Sequence, residues 1–295
     1  MGTYQKTIQV ADTVIRVELE EGYGLGRDYR DFQSRPGDAE VDIRLRCSHG
    51  KTPFDSDTIL FRSGETVQTS FFLREKTSIF RRKREVFIGR KQFTNCRIWC
   101  LSPDYLNPKV PYLKNCGWPL LALWGYFSVH GKGVLLHGAL IELDGKHLLL
   151  LGDSGVGKTT LSRMAVAAGG TCLTDENPFL SGGPGKPRVY GGPWYSDRSL
   201  LPDKPVTTAT GPRLLDAILL LHHAPQNTLD RLSIQTAVFA VLQNTRTFNW
   251  LPGTIYKAMG HVEDAVQATP VYSYGFLPDI SAIHHLQRNI FNAHE

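Results

Sequence analysis

Four consecutive leucines, Leu148–Leu151, run directly into Gly152-Asp153-Ser154-Gly155-Val156-Gly157-Lys158-Thr159-Thr160, and this junction restricts the fold more than any other stretch of the chain. An uninterrupted apolar run ahead of a glycine reads as a strand buried on both faces. Gly152, Gly157, Lys158 and Thr159 stand at the G-x-x-x-x-G-K-[ST] spacing of a phosphate-binding loop. A loop that wraps a phosphate turns successive backbone N–H groups inward. That requires backbone angles glycine tolerates and a close approach that a Cβ would obstruct. The helix expected next, from Lys158 to about Ala168 with Gly169-Gly170 as its stop, points its N-terminus at the same anion. Residues 152–160 are therefore the expected nucleotide site. Lys158 would reach the β/γ-phosphates, and the Thr159 hydroxyl would face Mg²⁺.

Composition sets wide bounds. With 295 residues, 41% of them hydrophobic and 21% charged, the chain is long enough for a sizeable globular core in one or two domains. A formal charge of +5 suits an anionic ligand but does not by itself argue for a nucleic-acid partner. The longest apolar stretch, near Leu120–Val129, is short of the roughly 18–20 residues of a spanning helix. No charged-then-apolar leader opens the chain, so a cytoplasmic protein without membrane attachment is expected. Cys47, Cys96, Cys100, Cys116 and Cys172 are an odd, scattered set and read as reduced thiols. His222-His223 and His284-His285 are adjacent pairs, whose side chains point to opposite faces of a strand, and no structural metal is expected from them.

Two textures divide the chain. Residues 1–112 alternate β-type runs with turns and are expected to form a β-rich N-terminal domain that binds a substrate or partner. The runs are Thr7–Leu19, Val41–Arg46, Thr58–Phe61, Thr66–Leu73, Glu85–Ile88 and Phe93–Cys100. Arg81-Arg82-Lys83-Arg84 either receives an acidic partner or a nucleic-acid backbone, or forms a solvated hairpin tip. Residues 113–295 are expected to be a mixed α/β (α+β, mixed-sheet) catalytic domain. Its elements are a helix from Leu113 or Trp118 to Val129, strands at Val134–Leu143, His147–Leu151, Thr171–Thr174, Leu214–His222 and Val271–Phe276, and helices at Ser233–Asn244 and around Ile280–Arg288.

The hairpin can be counted. Asp144-Gly145 as a two-residue turn sets Leu143 against Lys146, so paired numbers sum to 289 and His137 falls opposite Gly152. This register places an imidazole beside the phosphates; a slip of one residue moves it to the other face. Asp175 ends the strand after the loop helix, where strand ends face a ligand crevice. Asp175 and Glu176 supply two carboxylates, one to take a proton from an attacking hydroxyl and one to hold Mg²⁺. Asp175 as a cap for the following turn is the alternative.

Leu136-His137-Gly138-Ala139, the loop Gly152–Thr159 and Asp175-Glu176, in that order, resemble the HPr kinase/phosphorylase superfamily, whose catalytic core is shared with phosphoenolpyruvate carboxykinases. The resemblance covers roughly residues 113–285. It implies an HPr-kinase-like P-loop core in which Asp175 is the catalytic base, His137 supports it, and Lys158 and Thr159 serve ATP and Mg²⁺. Glu176 stands where the family has a second Asp. The later glycine- and arginine-rich signature of the bifunctional enzymes is missing, and Val189-Tyr190-Gly191-Gly192-Pro193-Trp194 stands in its place. That layout is similar to shorter kinases of peptide-modification systems, including those acting on lasso-peptide precursors. Trp194 and Tyr195 either flank an acceptor peptide or pack under the Gly/Pro loop, and Arg198 meets the phosphoryl group or an acceptor carboxylate, or lies on the surface.

The expected function is ATP-dependent phosphorylation of a serine hydroxyl on a peptide or small protein. The alternatives are a nucleotide-binding regulatory or adaptor protein and a kinase of a small-molecule hydroxyl. The sequence leaves a homo-oligomer open.

Overall fold

The computed structural model describes residues 2–20, 29, 32–34, 38–47, 61–63, 67–72, 77–82, 85–90, 92–100, 117–183, 185–200, 211–247 and 253–291. They fall into two compact units, Met1–His130 and Gly131–Glu295.

In the first unit, eight strands form one sheet: β1 (Thr3–Val10), β2 (Thr13–Glu20), β3 (Val41–Cys47), β4 (Phe61–Ser63), β5 (Val67–Phe72), β6 (Thr77–Arg82), β7 (Glu85–Arg90) and β8 (Asn95–Cys100), in the order β1-β2-β3-β8-β7-β6-β5-β4. The run expected over Thr7–Leu19 is two strands. They pair from Thr3↔Glu20 to Val10↔Thr13 around Ala11-Asp12, both at positive φ (48° and 59°). Such a turn matches strand twist, but alanine in it gives no local turn signal. Arg81 and Arg82 close β6, where Arg82 pairs with Glu85 of β7; Lys83 and Arg84, the rest of the basic cluster, lie outside the described residues. Helix α1 (Gly117–His130) belongs to this unit, and its Tyr126 hydroxyl donates to Glu40 Oε1 at 3.0 Å. The functional boundary expected at residue 112 lies outside the described residues.

The second unit is mixed α/β. Its elements are β9 (Val134–Leu136), β10 (Gly138–Leu143), β11 (Lys146–Leu151), α2 (Lys158–Ala167), β12 (Thr171–Thr174), β13 (Phe179–Ser181), β14 (Arg188–Tyr190), β15 (Arg213–Leu214), β16 (Ala217–His223), β17 (Thr228–Arg231), α3 (Ile234–Gln243), β18 (Thr245–Arg246), α4 (Thr254–Ala268), β19 (Val271–Phe276) and α5 (Ser281–Leu286). A six-stranded sheet runs β12-β10-β11-β16-β19-β17, and a five-stranded sheet runs β15-β14-β13-β9-β18.

The four leucines of β11 are buried because the larger sheet is covered on both faces. Leu149 and Leu151 join Leu140, Val241 of α3 and Val262 of α4 in one cluster. Leu148 and Leu150 join Ile141, Leu161 of α2 and Ile283 of α5 in the other. Alternate side chains of one strand thus enter two cores, and an all-leucine run satisfies both.

Strand direction assembles one edge. β11, β16 and β19 are mutually parallel, while β10 runs antiparallel to both β11 and β12. The C-terminal ends of β11, β12, β16 and β19 therefore emerge together, and β10 begins at the same edge. That edge collects the phosphate-loop residues, Asp175, His223, Phe276 and the residue that precedes β10, His137.

Candidate functional site

The loop after β11 has the geometry its glycines imply. Gly152, Gly155 and Gly157 take φ of 137°, 84° and 102°. Gly157 is the N-cap of α2 in the left-handed region, and a Cβ there would sit 2.7 Å from Phe276 Cζ. Glycine is demanded twice at this position, by backbone angle and by space. Lys158 is 8% exposed and folds back over the loop, with Nζ donating to Gly152 O at 2.6 Å and Asp153 O at 2.9 Å. Burial holds its pKa below the ordinary lysine value, against the opposing pull of the Asp153 carboxylate. The loop opens on a cleft of about 500 Å³, walled by the end of β16 at His222-His223 and the last turn of α3 at Gln243-Asn244.

The hairpin register follows the count from Leu143↔Lys146 to Gly138↔Leu151. The ladder then stops one pair short of the expected His137–Gly152 match. The strand expected over Val134–Leu143 is two strands in different sheets, β9 and β10, and His137 lies at the change. Asn244, capping the C-terminus of α3, fills the gap: its backbone O accepts from His137 N at 2.8 Å and its Oδ1 accepts from Gly152 N at 3.1 Å. Its Nδ2 donates to Ala240 O at 2.9 Å, which fixes the amide. His137 and Gly152 are thus tied to one residue, without pairing directly.

His137 sits in a cationic setting. Burial, then Lys158, then Arg246 lower its pKa from the ordinary histidine value, so the imidazole is neutral at pH 7. Arg246 Nη2 donates to His137 Nδ1 at 3.1 Å. A guanidinium only donates, so Nδ1 carries the lone pair and the ring proton is on Nε2. Arg246 also lies 3.8 Å from Glu176 Oε1. The backbone keeps Glu176 there: Gly138 N donates to Glu176 O at 3.1 Å, and Leu136 N to Pro178 O at 3.0 Å. His137, Lys158, Glu176 and Arg246 therefore form one group.

Asp175 is 3% exposed, and its carboxylate faces a loop. Ser196 N donates to Oδ1 at 2.7 Å, while Ser196 Oγ and Asp197 N donate to Oδ2 at 2.6 and 3.0 Å. Trp194 is packed edge-on against Phe179 at 6.0 Å, and the Tyr195 hydroxyl donates to Cys172 O and Leu173 O. Of the two roles open to these aromatics, packing is the one observed; the Arg198 side chain is outside the described residues.

Among the described residues no three His, Cys, Asp or Glu side chains converge on a metal position. Mg²⁺ in phosphate sites keeps waters and substrate oxygens and takes only one or two protein ligands, a number that Thr159 and the half-exposed Glu176 can supply. Among the described residues no helix is long and apolar enough to cross a membrane, and Cys96 and Cys172 are buried free thiols.

No family model and no curated protein sequence matches the chain. Among solved structures it is similar to the HPr(Ser) kinase/phosphatase from Coxiella burnetii, at 13% identity over 52% of this chain and 94% of that one, with a TM-score of 0.29. At that score the likeness is too loose to reason from.

Proposed function

We propose that this chain is a cytoplasmic ATP-dependent kinase that transfers the γ-phosphoryl group to a serine hydroxyl of a peptide or small protein, lasso-peptide precursors included. The observation that carries this is the loop itself. Three positive-φ glycines lead into a helix N-terminus, and Lys158 is held at the loop's mouth by two of its carbonyls. The peptide acceptor is inferred from the resemblance of the motifs, with residues 1–112 as the substrate- or partner-binding part and 113–295 as the catalytic part.

In this reading the N–H groups of residues 152–160 cradle the phosphates. Lys158 exchanges its two carbonyls for the β/γ-oxygens. Thr159 and Glu176 would hold Mg²⁺, which supplies charge neutralisation at those oxygens when bound. Neutral His137 offers Nε2–H as a donor, and Arg246 adds a fixed positive charge. Both suit a loose transition state, where positioning and charge contribute most. Asp175 receives the proton of the incoming hydroxyl. Support for that role is its place at the same sheet edge and its existing hold on a hydroxyl, that of Ser196.

A second reading, a nucleotide-binding regulatory protein, has one observation in its favour: both Asp175 oxygens are already engaged by the chain itself. Radiolabelled γ-phosphate transfer separates the two. The kinase reading expects serine peptides to gain one phosphate with matching ADP release. ATP binding with no transfer to any hydroxyl acceptor favours the regulator.

A further inference from the structure

Ser196 Oγ lies 2.6 Å from Asp175 Oδ2. That is the contact a general base makes with the hydroxyl it deprotonates, about 2.6–3.2 Å between heavy atoms. The loop does not need this bond for its anchorage. The backbone N–H groups of Ser196 and Asp197 already grip the same carboxylate, and Thr174 Oγ1 donates to Trp194 O at 2.8 Å. Ser196 is exposed, and a hydroxyl that donates its proton to a carboxylate keeps its lone pairs for another partner.

The position of Ser196 beside α2 is fixed independently. Its neighbour Asp197 accepts from Arg163 Nε at 2.6 Å. Arg163 follows Thr159 by four residues on α2, so the two share a face about one 5.4 Å turn apart. The loop that carries Ser196 is thus tied to α2 through Arg163, one turn beyond Thr159.

We propose that Ser196 is an autophosphorylation site, modified in cis. The inference rests on the kinase reading above. Ser196 Oγ forms a bond to the γ-phosphorus of ATP, the bond from that phosphorus to the β,γ-bridging oxygen breaks, ADP leaves, and the hydroxyl proton passes to Asp175. The acceptor here is already seated on the base, so no external peptide is required.

The test incubates the full chain with ATP and Mg²⁺ and follows intact mass, with peptide mapping of the product and parallel titration with a fluorescent ATP analogue. One added phosphate at Ser196, forming at a first-order rate unchanged on dilution of the protein, is the expected result. Ser196→Ala keeps both backbone bonds to Asp175, binds the analogue as the wild type does, and gains no phosphate. Asp175→Asn and Lys158→Ala gain none or gain it much more slowly. Analogue binding with Ser196 unmodified overturns this inference and leaves the kinase reading standing. A rate that scales with protein concentration overturns the cis step. Absence of analogue binding overturns the kinase reading beneath it.

Discussion

Asp175→Asn has consequences for stability and for chemistry that can be worked from the same three hydrogen bonds. The carboxylate accepts on both oxygens, from Ser196 N on one side and from Asp197 N and Ser196 Oγ on the other. An amide has one acceptor oxygen, so either orientation sets its NH₂ against a backbone N–H. One part-buried donor is left unmet, at up to about 1–3 kcal/mol, and the surviving bonds lose their charge assistance, at about 1 kcal/mol more. The sum, about 2–4 kcal/mol, corresponds to a fall in Tm of about 5–15 °C for a unit of this size. Urea unfolding at pH 7 measures the first quantity and calorimetry the second. A loss below about 0.5 kcal/mol would refute the claim that this carboxylate anchors the 194–200 loop. Assayed well below its midpoint, the folded variant binds ATP as the wild type does while phosphoryl transfer falls about 10²–10⁴-fold. Wild-type turnover would remove Asp175 from the base role, whatever the stability result.

Three further outcomes follow from neighbouring residues. Gly157→Ala combines a left-handed backbone, costing about 1–2 kcal/mol for a non-glycine residue, with a Cβ placed against Phe276; ATP affinity drops at least about tenfold by calorimetry, and an unchanged affinity contradicts the cradle geometry. Asn244→Ala removes the acceptor of Gly152 N–H and the donor to Ala240 O; it costs about 1–3 kcal/mol in urea unfolding, and a neutral result contradicts its role as the tie between α3 and the loop. Arg246→Met takes a positive neighbour from His137, so its pKa rises toward 6.5 in an NMR titration, and a fall or no change rejects the assignment. The stability sign follows: the unfolded chain binds a proton near pH 6.5 that folded His137 refuses, so wild-type stability falls as pH drops below that value, and Arg246→Met lessens the fall.

The parts of the fold legible in the sequence were those fixed by local rules. Asp144-Gly145 takes positive φ at both residues (48° and 74°), which sets the hairpin register the count gives. The boundaries of β12 and β19 fall at Thr171–Thr174 and Val271–Phe276, as their apolar runs indicate, and Ser233 caps α3. α4 was not legible. Its buried face, Thr254, Ala258, Val262, Ala265 and Val266, keeps helical spacing but is mostly small, while Ile255 and Tyr256 are exposed at 43% and 79%, so the large apolar residues do not mark the face that packs. β13 and β14 lie in and beside the glycine- and proline-rich stretch, three residues each, too short for a pattern.

In the site, the loop residues announced themselves because phosphate binding constrains consecutive positions. Arg246 and Asn244 did not. Arg246 reaches His137 across 109 residues of sequence and Asn244 reaches Gly152 across 92, by way of a two-residue strand and a helix end that carry no motif of their own. The same holds for Ser196 on Asp175, which joins the end of β12 to a loop that composition alone marks only as irregular.

Titration calorimetry of ATP with Mg²⁺ into the wild type and into Lys158→Ala tests most directly whether a triphosphate occupies the 152–160 loop. Saturable heat with one site per chain, markedly weakened in the lysine variant, is the predicted result. No heat from the wild type, or equal affinity in both proteins, contradicts it.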